Sequence, residues 1–241
     1  SLAIYAKLLK FTEADYVFAP KVDLWDTLIE QMLVQKRALN EVVETREHAL
    51  ACAKTVADRY RCNYEHASFL METACMIFDK IKTLHGLNPS YKLLLEIAAI
   101  LHDCGYFINS KHHLNSNVDI VKYTDIYGLT DKTTLITAYI SRFAESETPN
   151  YRDAEFASLK GSEKIIALKL AAIFRLANSL DKSQKQKLQS VKVRLDEDKF
   201  IITAKSDSNT RLEHWAFEKC SAFFQEVFGV QPVLTVKSSL I

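Results

Sequence analysis

The stretch "EIAAILHDCGYFIN", residues 96–109, places an adjacent histidine and aspartate, His102 and Asp103, at the end of an apolar run. Between Leu93 and Leu101 nearly every residue is apolar, which predicts a helix that is buried on all sides. Ionisable side chains are rarely buried beside such a helix unless they are paired. We therefore expect the pair to lie near the centre of the molecule and to be a candidate binding site.

The apolar helix belongs to a series of predicted helices. The others read "TREHALACAKTVADRY", which starts with a Thr45 cap, "YEHASFLMETACMIFDKIKTLHG", which ends at Gly86, "DKTTLITAYISRF" and "SEKIIALKLAAIFRLANSLDK". The 241 residues include only 5 glycines and 4 prolines, and these residue types most disfavour the interior of a helix. The sequence thus predicts a mainly α protein whose central helical domain spans residues 40–188.

Two smaller segments flank the predicted helical domain. Residues 1–35 predict a helix, a short strand and a helix, which is too little to form a domain alone. Residues 189–241 predict a small α/β module of β-β-α-β order. In it, "SVKVRL" and "KFIITAK" alternate around a turn, a helix ends at Gly229, and "QPVLTVK" follows. Trp215 lies on an amphipathic face of that helix, so we expect it in the core.

Composition limits the classes of function that fit the chain. The formal net charge is +1 and 25% of the residues are charged, so no overall field favours nucleic acid or a membrane surface. No run of about 18 apolar residues predicts a membrane span. The five cysteines are scattered without a C-x-x-C pair, which argues against a disulfide framework or a cysteine-based zinc site. We expect a cytoplasmic protein without specific nucleic-acid or membrane binding.

Histidine and aspartate are side chains that bind divalent metals such as zinc, manganese or magnesium. An adjacent pair at a helix end, His102 and Asp103, can direct both side chains to one ion, and His66 of another helix can complete the set. The alternative is structural. Seven histidines are an ordinary number for a chain of this length, and an isolated histidine usually has a packing role. The spacing leaves both interpretations open.

Several motifs in order resemble one phosphatase family. "YEHASFLMETACMIFD", "AAILHDCGYFINSKHH" and "FRLANSLDKS" are similar to the C-terminal HD-like region of the exopolyphosphatase and guanosine pentaphosphate phosphatase family. The beginning of the chain resembles the end of that family's actin-like phosphatase domain, and residues 189–241 resemble its small C-terminal domain. The resemblance implies an HD-domain-like helical bundle, with residues 1–35 as a remnant of the actin-like domain.

The resemblance also assigns metal positions and shows where this sequence departs from the family. His66, His102 and Asp103 match metal-binding positions of the family, whereas Asn178 stands where the family has a further aspartate. An amide oxygen is a weaker ligand than a carboxylate. Asp181, one helical turn after Asn178, is an alternative source of that carboxylate. The resemblance therefore implies a degenerate metal site formed by His66, His102, Asp103 and Asn178.

Cationic side chains near the last core helix predict a phosphate-binding set. Arginine suits bidentate contacts with phosphate, and lysine suits point-charge contacts. Arg175 interrupts a long apolar run, which favours a role beyond solvation. The alternative is a solvated helix end whose cations complement the helix dipole. The predicted set consists of Arg175, Lys182 and Arg142 from these cations, together with His112 and His113, which the resemblance implies because they match paired histidines of the family.

Three functions remain open. In the family, polyphosphate hydrolysis belongs to actin-like domains with glycine-rich phosphate loops. The five glycines here are not clustered, so no catalytic residue is assigned. The first hypothesis is the C-terminal part of a longer exopolyphosphatase-like protein, which binds polyphosphate or a guanosine polyphosphate, regulates the enzyme, or builds a homodimer. The second is an active HD-type metal-dependent phosphohydrolase. The third is a helical dimerisation module without chemistry.

Overall fold

The computed structural model describes residues 7, 9–12, 43–144 and 153–238, and the chain divides into two compact units, 1–44 and 45–241. In the first unit, residues 9–12 are helical. The strand and the second helix predicted within residues 1–35 lie outside the described residues. The predicted domain limits at residues 35, 40 and 188 stay predictions.

The second unit is mainly helical with a small sheet near its C-terminal end, which confirms the predicted fold class. Among the described residues, no helix is long and apolar enough to cross a membrane. The elements are α1 (43–59), α2 (Tyr64–Lys80), α3 (Lys82–His85), α4 (Lys92–Leu101), α5 (Cys104–Ile108), α6 (His113–Tyr123), α7 (Asp131–Arg142), α8 (Ala154–Ser158), α9 (Gly161–Ser179), β1 (Gln189–Asp196), β2 (Lys199–Lys205), α10 (Arg211–Phe228) and β3 (Gln231–Lys237).

Helix α4 lies at the centre of the helical part because its sequence is apolar on every face. Its Leu95, Ile97 and Leu101 side chains are fully buried, and α2 and α7 pack against it. Burying side chains of this size stabilises the fold by about 1.5–3 kcal/mol each. The acidic residue of α4, Glu96, is also buried and accepts two hydrogen bonds from Arg46, at 2.9 and 2.5 Å. The ion pair therefore satisfies the carboxylate inside an otherwise apolar environment.

The helix predicted to run to Gly86 is divided in two by the structure. α2 ends at Lys80, Ile81 leaves the helical conformation at φ −100° and ψ 25°, and the short α3 continues to His85. Gly86 ends α3 with φ +60°, a conformation that glycine adopts without steric cost. The glycine was therefore a correct signal for the end of the segment, and the break at Ile81 had no glycine or proline to mark it.

The C-terminal module has the predicted β-β-α-β order. β1 pairs antiparallel with β2 across the turn at 197–198, and β2 pairs in parallel with β3 after the crossover through α10. Phe200, Ile202 and Ala204 alternate along β2 and are buried. The Phe200 ring lies 5.4 Å from the Phe224 ring of α10, measured between centroids. Since α10 also packs on α9, the module is joined to the last helix of the helical part.

Candidate functional site

His66 lies in the first turn of α2. The helix begins after Asn63, whose side-chain oxygen accepts a hydrogen bond from the His66 backbone N–H at 3.3 Å. Asparagine is one of the preferred residues at this capping position. The His66 side chain turns into the protein, and the residue is only 2% exposed. The local sequence thus fixes both the start of α2 and the burial of its histidine.

His102 and Asp103 form the sharp link between α4 and α5. Asp103 lies outside both helices with φ −97° and ψ 1°. Gly105 permits this link because the backbone of α6 passes directly over it, and a Cβ atom on Gly105 would lie 2.0 Å from the His113 carbonyl oxygen. The His102 ring is buried against Phe174 of α9, with centroids 5.4 Å apart. Close packing therefore fixes the position of the link and of the His102 ring.

The structure brings His66, His102 and Asp103 together. One potential ligand atom of each lies within 4.8 Å of the other two, and His102 Nε2 is 3.3 Å from Asp103 Oδ1. Within the described part of the chain, His66 Nε2 is buried without a hydrogen-bond partner, and buried Asp103 Oδ1 has the 3.3 Å contact with His102 Nε2 but no hydrogen bond. Such atoms are costly unless something satisfies them. Two imidazoles and one carboxylate form a donor set that suits zinc or a similar divalent ion, so these three residues fit a metal.

Asp181 orients His66 by binding the other ring nitrogen. Its Oδ2 atom lies 2.8 Å from His66 Nδ1 and accepts a hydrogen bond from the Gln186 side chain at 2.7 Å. Its Oδ1 atom accepts hydrogen bonds from the backbone N–H groups of Lys185 and Gln186, at 3.0 and 2.8 Å. This arrangement assigns the proton to Nδ1 and leaves the Nε2 lone pair for the cluster, as carboxylates behind metal-binding histidines do.

Gln184 covers the carboxylate side of the cluster. Its Nε2 atom donates to Asp103 Oδ2 at 2.7 Å, and its Oε1 atom accepts from Asn63 Nδ2 at 3.3 Å. Its backbone has φ +53°, which is unfavourable for a residue with a side chain and must be held by the surroundings. Nothing in the sequence pattern predicted a role for Gln184, because the contact depends on the path of the loop 181–188.

A second polar site lies between α9 and α10, in a pocket of about 410 Å³. Trp215 and Lys219 of α10 form one side of it, and the expectation that Trp215 lies in the core is wrong. The residue is 51% exposed, and Lys219 Nζ lies 3.8 Å from the centroid of its ring. The next residues of α10, Ala216 and Phe217, take the buried positions. The polar side chains that line the pocket are Arg175, Asn178, Ser179, Lys182, Trp215, Lys219 and Cys220.

Arg175 gives this pocket a positive charge that packing holds in place. The residue is only 6% exposed, its Nε donates to the Phe143 carbonyl at 2.8 Å, and its guanidinium carbon lies 4.6 Å from the Phe223 ring centroid. Burial lowers the pKa of the Arg175 guanidinium from its ordinary value. Arginine nevertheless keeps its charge in proteins. Asn178, the fourth residue of the predicted metal set, is buried one turn further along α9 and lines the same pocket.

The predicted phosphate-binding residues are divided by the structure. Arg175 and Lys182 line the pocket between α9 and α10, whereas the other three lie in different surroundings. Arg142 Nη1 forms an ion pair with Asp153 at 2.5 Å. His113 stacks on Tyr106 with ring centroids 3.8 Å apart, and His112 is exposed just before α6.

Comparison with known families finds a match over most of the chain. The family model described as Ppx/GppA phosphatase, domain III, matches residues 50–219, which is more than half of the chain. No curated protein matches the chain. The matched residues include the His66–His102–Asp103 cluster and the cationic side chains of the pocket between α9 and α10.

Proposed function

The chain belongs to the Ppx/GppA phosphatase family, and on this premise we propose that the described helical part and C-terminal module bind the phosphate chain of polyphosphate or of a guanosine polyphosphate. In this proposal the region binds the substrate and contains a degenerate metal site. No residue of the region is assigned to the cleavage step. The observation that carries the proposal is the pocket between α9 and α10, lined by three cationic side chains.

The charges and size of the pocket support a phosphate ligand. Arg175 and Lys182 come from the α9 side and Lys219 from α10, so cations lie on both walls. Asn178 and Ser179 add polar side chains that can donate hydrogen bonds to phosphate oxygens. Charge-assisted hydrogen bonds of this kind are the strong ones in phosphate recognition. The volume of about 410 Å³ lies in the range of pockets that hold small ligands.

Binding of tripolyphosphate to the 241-residue chain, measured by isothermal titration calorimetry, tests the proposal. We expect Lys182→Gln and Lys219→Gln each to weaken binding by about tenfold, because each removes one charge-assisted contact. Lys192→Gln is the matched control. It removes the same charge from an exposed position on β1 and is expected to leave the affinity unchanged. If the control weakens binding as much as the pocket variants, binding is non-specific and the proposal fails.

A second candidate function, metal-dependent phosphohydrolysis, is favoured by the buried His66 Nε2 atom of the cluster, which has no hydrogen-bond partner among the described residues. A divalent ion bound there would lower the pKa of its water and supply a nucleophile. Asn178 in place of a carboxylate weighs against tight metal binding. The homodimer and the cytoplasmic location stay predictions.

Metal analysis separates the two candidates. Protein purified without chelator is measured for zinc, manganese and magnesium, and for turnover of a phosphate ester. Stoichiometric metal together with turnover that His102→Asn abolishes would favour the hydrolase. Protein without bound metal that still binds tripolyphosphate would favour the substrate-binding function.

A further inference from the structure

Two cysteine sulfur atoms meet beside the His66–His102–Asp103 cluster. Cys62 lies in the turn between α1 and α2, Cys104 opens α5, and their Sγ atoms are 3.0 Å apart. All five cysteines of the chain are free thiols in the structure. A disulfide needs a sulfur–sulfur distance of about 2.05 Å, so the two sulfurs have to approach by about 1 Å.

We propose that Cys62 and Cys104 form a reversible disulfide when the protein meets hydrogen peroxide. In the first step the Cys62 sulfur attacks one peroxide oxygen, the O–O bond breaks, and the products are a sulfenic acid and one water. In the second step the Cys104 sulfur attacks the Cys62 sulfur, the S–O bond breaks, and the thiol proton leaves with the oxygen as a second water. Each sulfur has lost one electron, and the peroxide has gained two.

The burial of the two residues supports this order of attack. Cys104 is 0% exposed, so an oxidant from solvent does not reach it first. Cys62 is half-buried and lines a small cavity of about 20 Å³ together with Lys54 and Asp58. Cys62 is therefore the sulfur that meets the peroxide, and Cys104 is the sulfur that closes the bond.

The other cysteines do not offer the same arrangement. Burial and the nearby Glu96 carboxylate raise the pKa of the Cys75 thiol to about 12. Burial raises the pKa of the Cys220 thiol to about 11. The hydrogen bond with Cys62 and burial raise the pKa of the Cys104 thiol as well, so the Cys62–Cys104 pair is distinguished by its geometry and not by thiol acidity. Cys62 and Cys104 are the pair of sulfurs that the described residues bring within hydrogen-bonding distance of each other.

The disulfide would join the two segments that carry the cluster. Cys62 lies just before Asn63, the cap of the helix that holds His66, and Cys104 directly follows Asp103. A covalent bond between them would tie the start of α2 to the link between α4 and α5. Oxidation would thus act on the same two backbone segments that position the potential metal ligands.

The test is peptide mapping of the full chain after treatment with hydrogen peroxide and alkylation of the remaining thiols. We expect a cross-linked peptide containing Cys62 and Cys104 that dithiothreitol separates again. Cys62→Ser and Cys104→Ala should each abolish it, while Cys52→Ser, the matched control on α1, should keep it. In Cys104→Ala, a sulfenic-acid reagent should label Cys62.

Three results would overturn the proposal. The first is folded, peroxide-treated protein without a Cys62–Cys104 cross-link, and the second is a cross-link that uses another pair of cysteines. The third is sulfenic-acid labelling of Cys104 in the Cys62→Ser variant, which would reverse the order of attack. If Cys104→Ala fails to fold, Cys62→Ser carries the test, because its half-buried position tolerates the change.

Discussion

Two buried histidines, in different regions of the molecule, use their ring nitrogens in opposite ways. At the end of α3, His85 Nε2 donates to the Phe78 carbonyl at 2.9 Å, and Nδ1 accepts from the Leu87 N–H at 2.8 Å. In the first turn of α2, His66 Nδ1 lies 2.8 Å from Asp181, and Nε2 has no hydrogen-bond partner among the described residues. Both rings are almost completely buried.

The difference shows how a structural histidine can be distinguished from a ligand-binding histidine when both are equally buried. The folded chain satisfies His85 completely, so it needs nothing further. His66 is satisfied on one side and directed towards His102 and Asp103 on the other, where a ligand would complete its hydrogen-bonding or coordination needs. Burial alone does not distinguish the two, whereas the partner of each nitrogen does.

The largest expected effect comes from moving the backbone that places Asp103 beside His66. In Gly105→Ala the new Cβ would lie 2.0 Å from the His113 carbonyl oxygen and 2.8 Å from the Asn117 nitrogen, so α5 and α6 must separate. We expect a loss of about 3 kcal/mol or more in the free energy of unfolding, measured with urea. Gly161→Ala is the control, because nothing lies within 4 Å of its new Cβ, and it should unfold like the wild type.

A smaller effect is expected when the partner of His66 is changed without changing its shape. In Asp181→Asn an amide N–H faces Nδ1, which moves the ring proton to Nε2 and removes the lone pair that a metal needs. We expect zinc affinity, measured by competition with a coloured chelator, to fall by about 10–100-fold. Asp198→Asn, in the exposed hairpin turn, is the control. Unchanged zinc affinity in Asp181→Asn would show that His66 Nε2 is not a ligand.

The helices that carry these histidines and the C-terminal module could largely be predicted from the sequence. The apolar periodicity of α4 and α9 is local, so it indicated buried helices directly. The turn between β1 and β2 and the glycine after α10 likewise marked the C-terminal module. The meeting of His66 with His102 and Asp103 followed from family resemblance, because spacing along the chain does not reveal which helices become neighbours.

The remaining features depend on contacts between distant segments. Trp215 lies on the amphipathic helix α10 but faces a pocket, since Ala216 and Phe217 cover the core instead. Arg142 was predicted to bind phosphate, and the structure pairs it with Asp153. Gln184 reaches Asp103 only because the loop adopts a left-handed conformation at that residue. No local pattern carries this information.

The smallest expected effect concerns His85, the structural histidine of the comparison, and the way in which the stability of the protein depends on pH. Burial lowers the pKa of His85 from its ordinary value, the hydrogen bond to Phe78 opposes this, and the charge of Lys169 adds to it. The folded protein therefore binds a proton at His85 less readily than the unfolded chain does. The stability contributed by neutral His85 is present above the unfolded pKa of about 6.5 and is lost as the pH falls below it.

For one titrating group the free energy of unfolding changes by at most about 1.4 kcal/mol per pH unit. Between pH 7 and 5 the free energy of unfolding of His85→Gln, measured with urea, should fall less steeply than that of the wild type. At pH 7 the variant is nevertheless the less stable protein. The exposed His48→Gln is the control and should keep the wild-type slope. Parallel curves for the wild type and His85→Gln would mean that His85 titrates normally in the folded protein. The two hydrogen bonds of His85 would then not keep its ring neutral. The contrast with His66 would rest on hydrogen-bond partners alone and not on the protonation of His85.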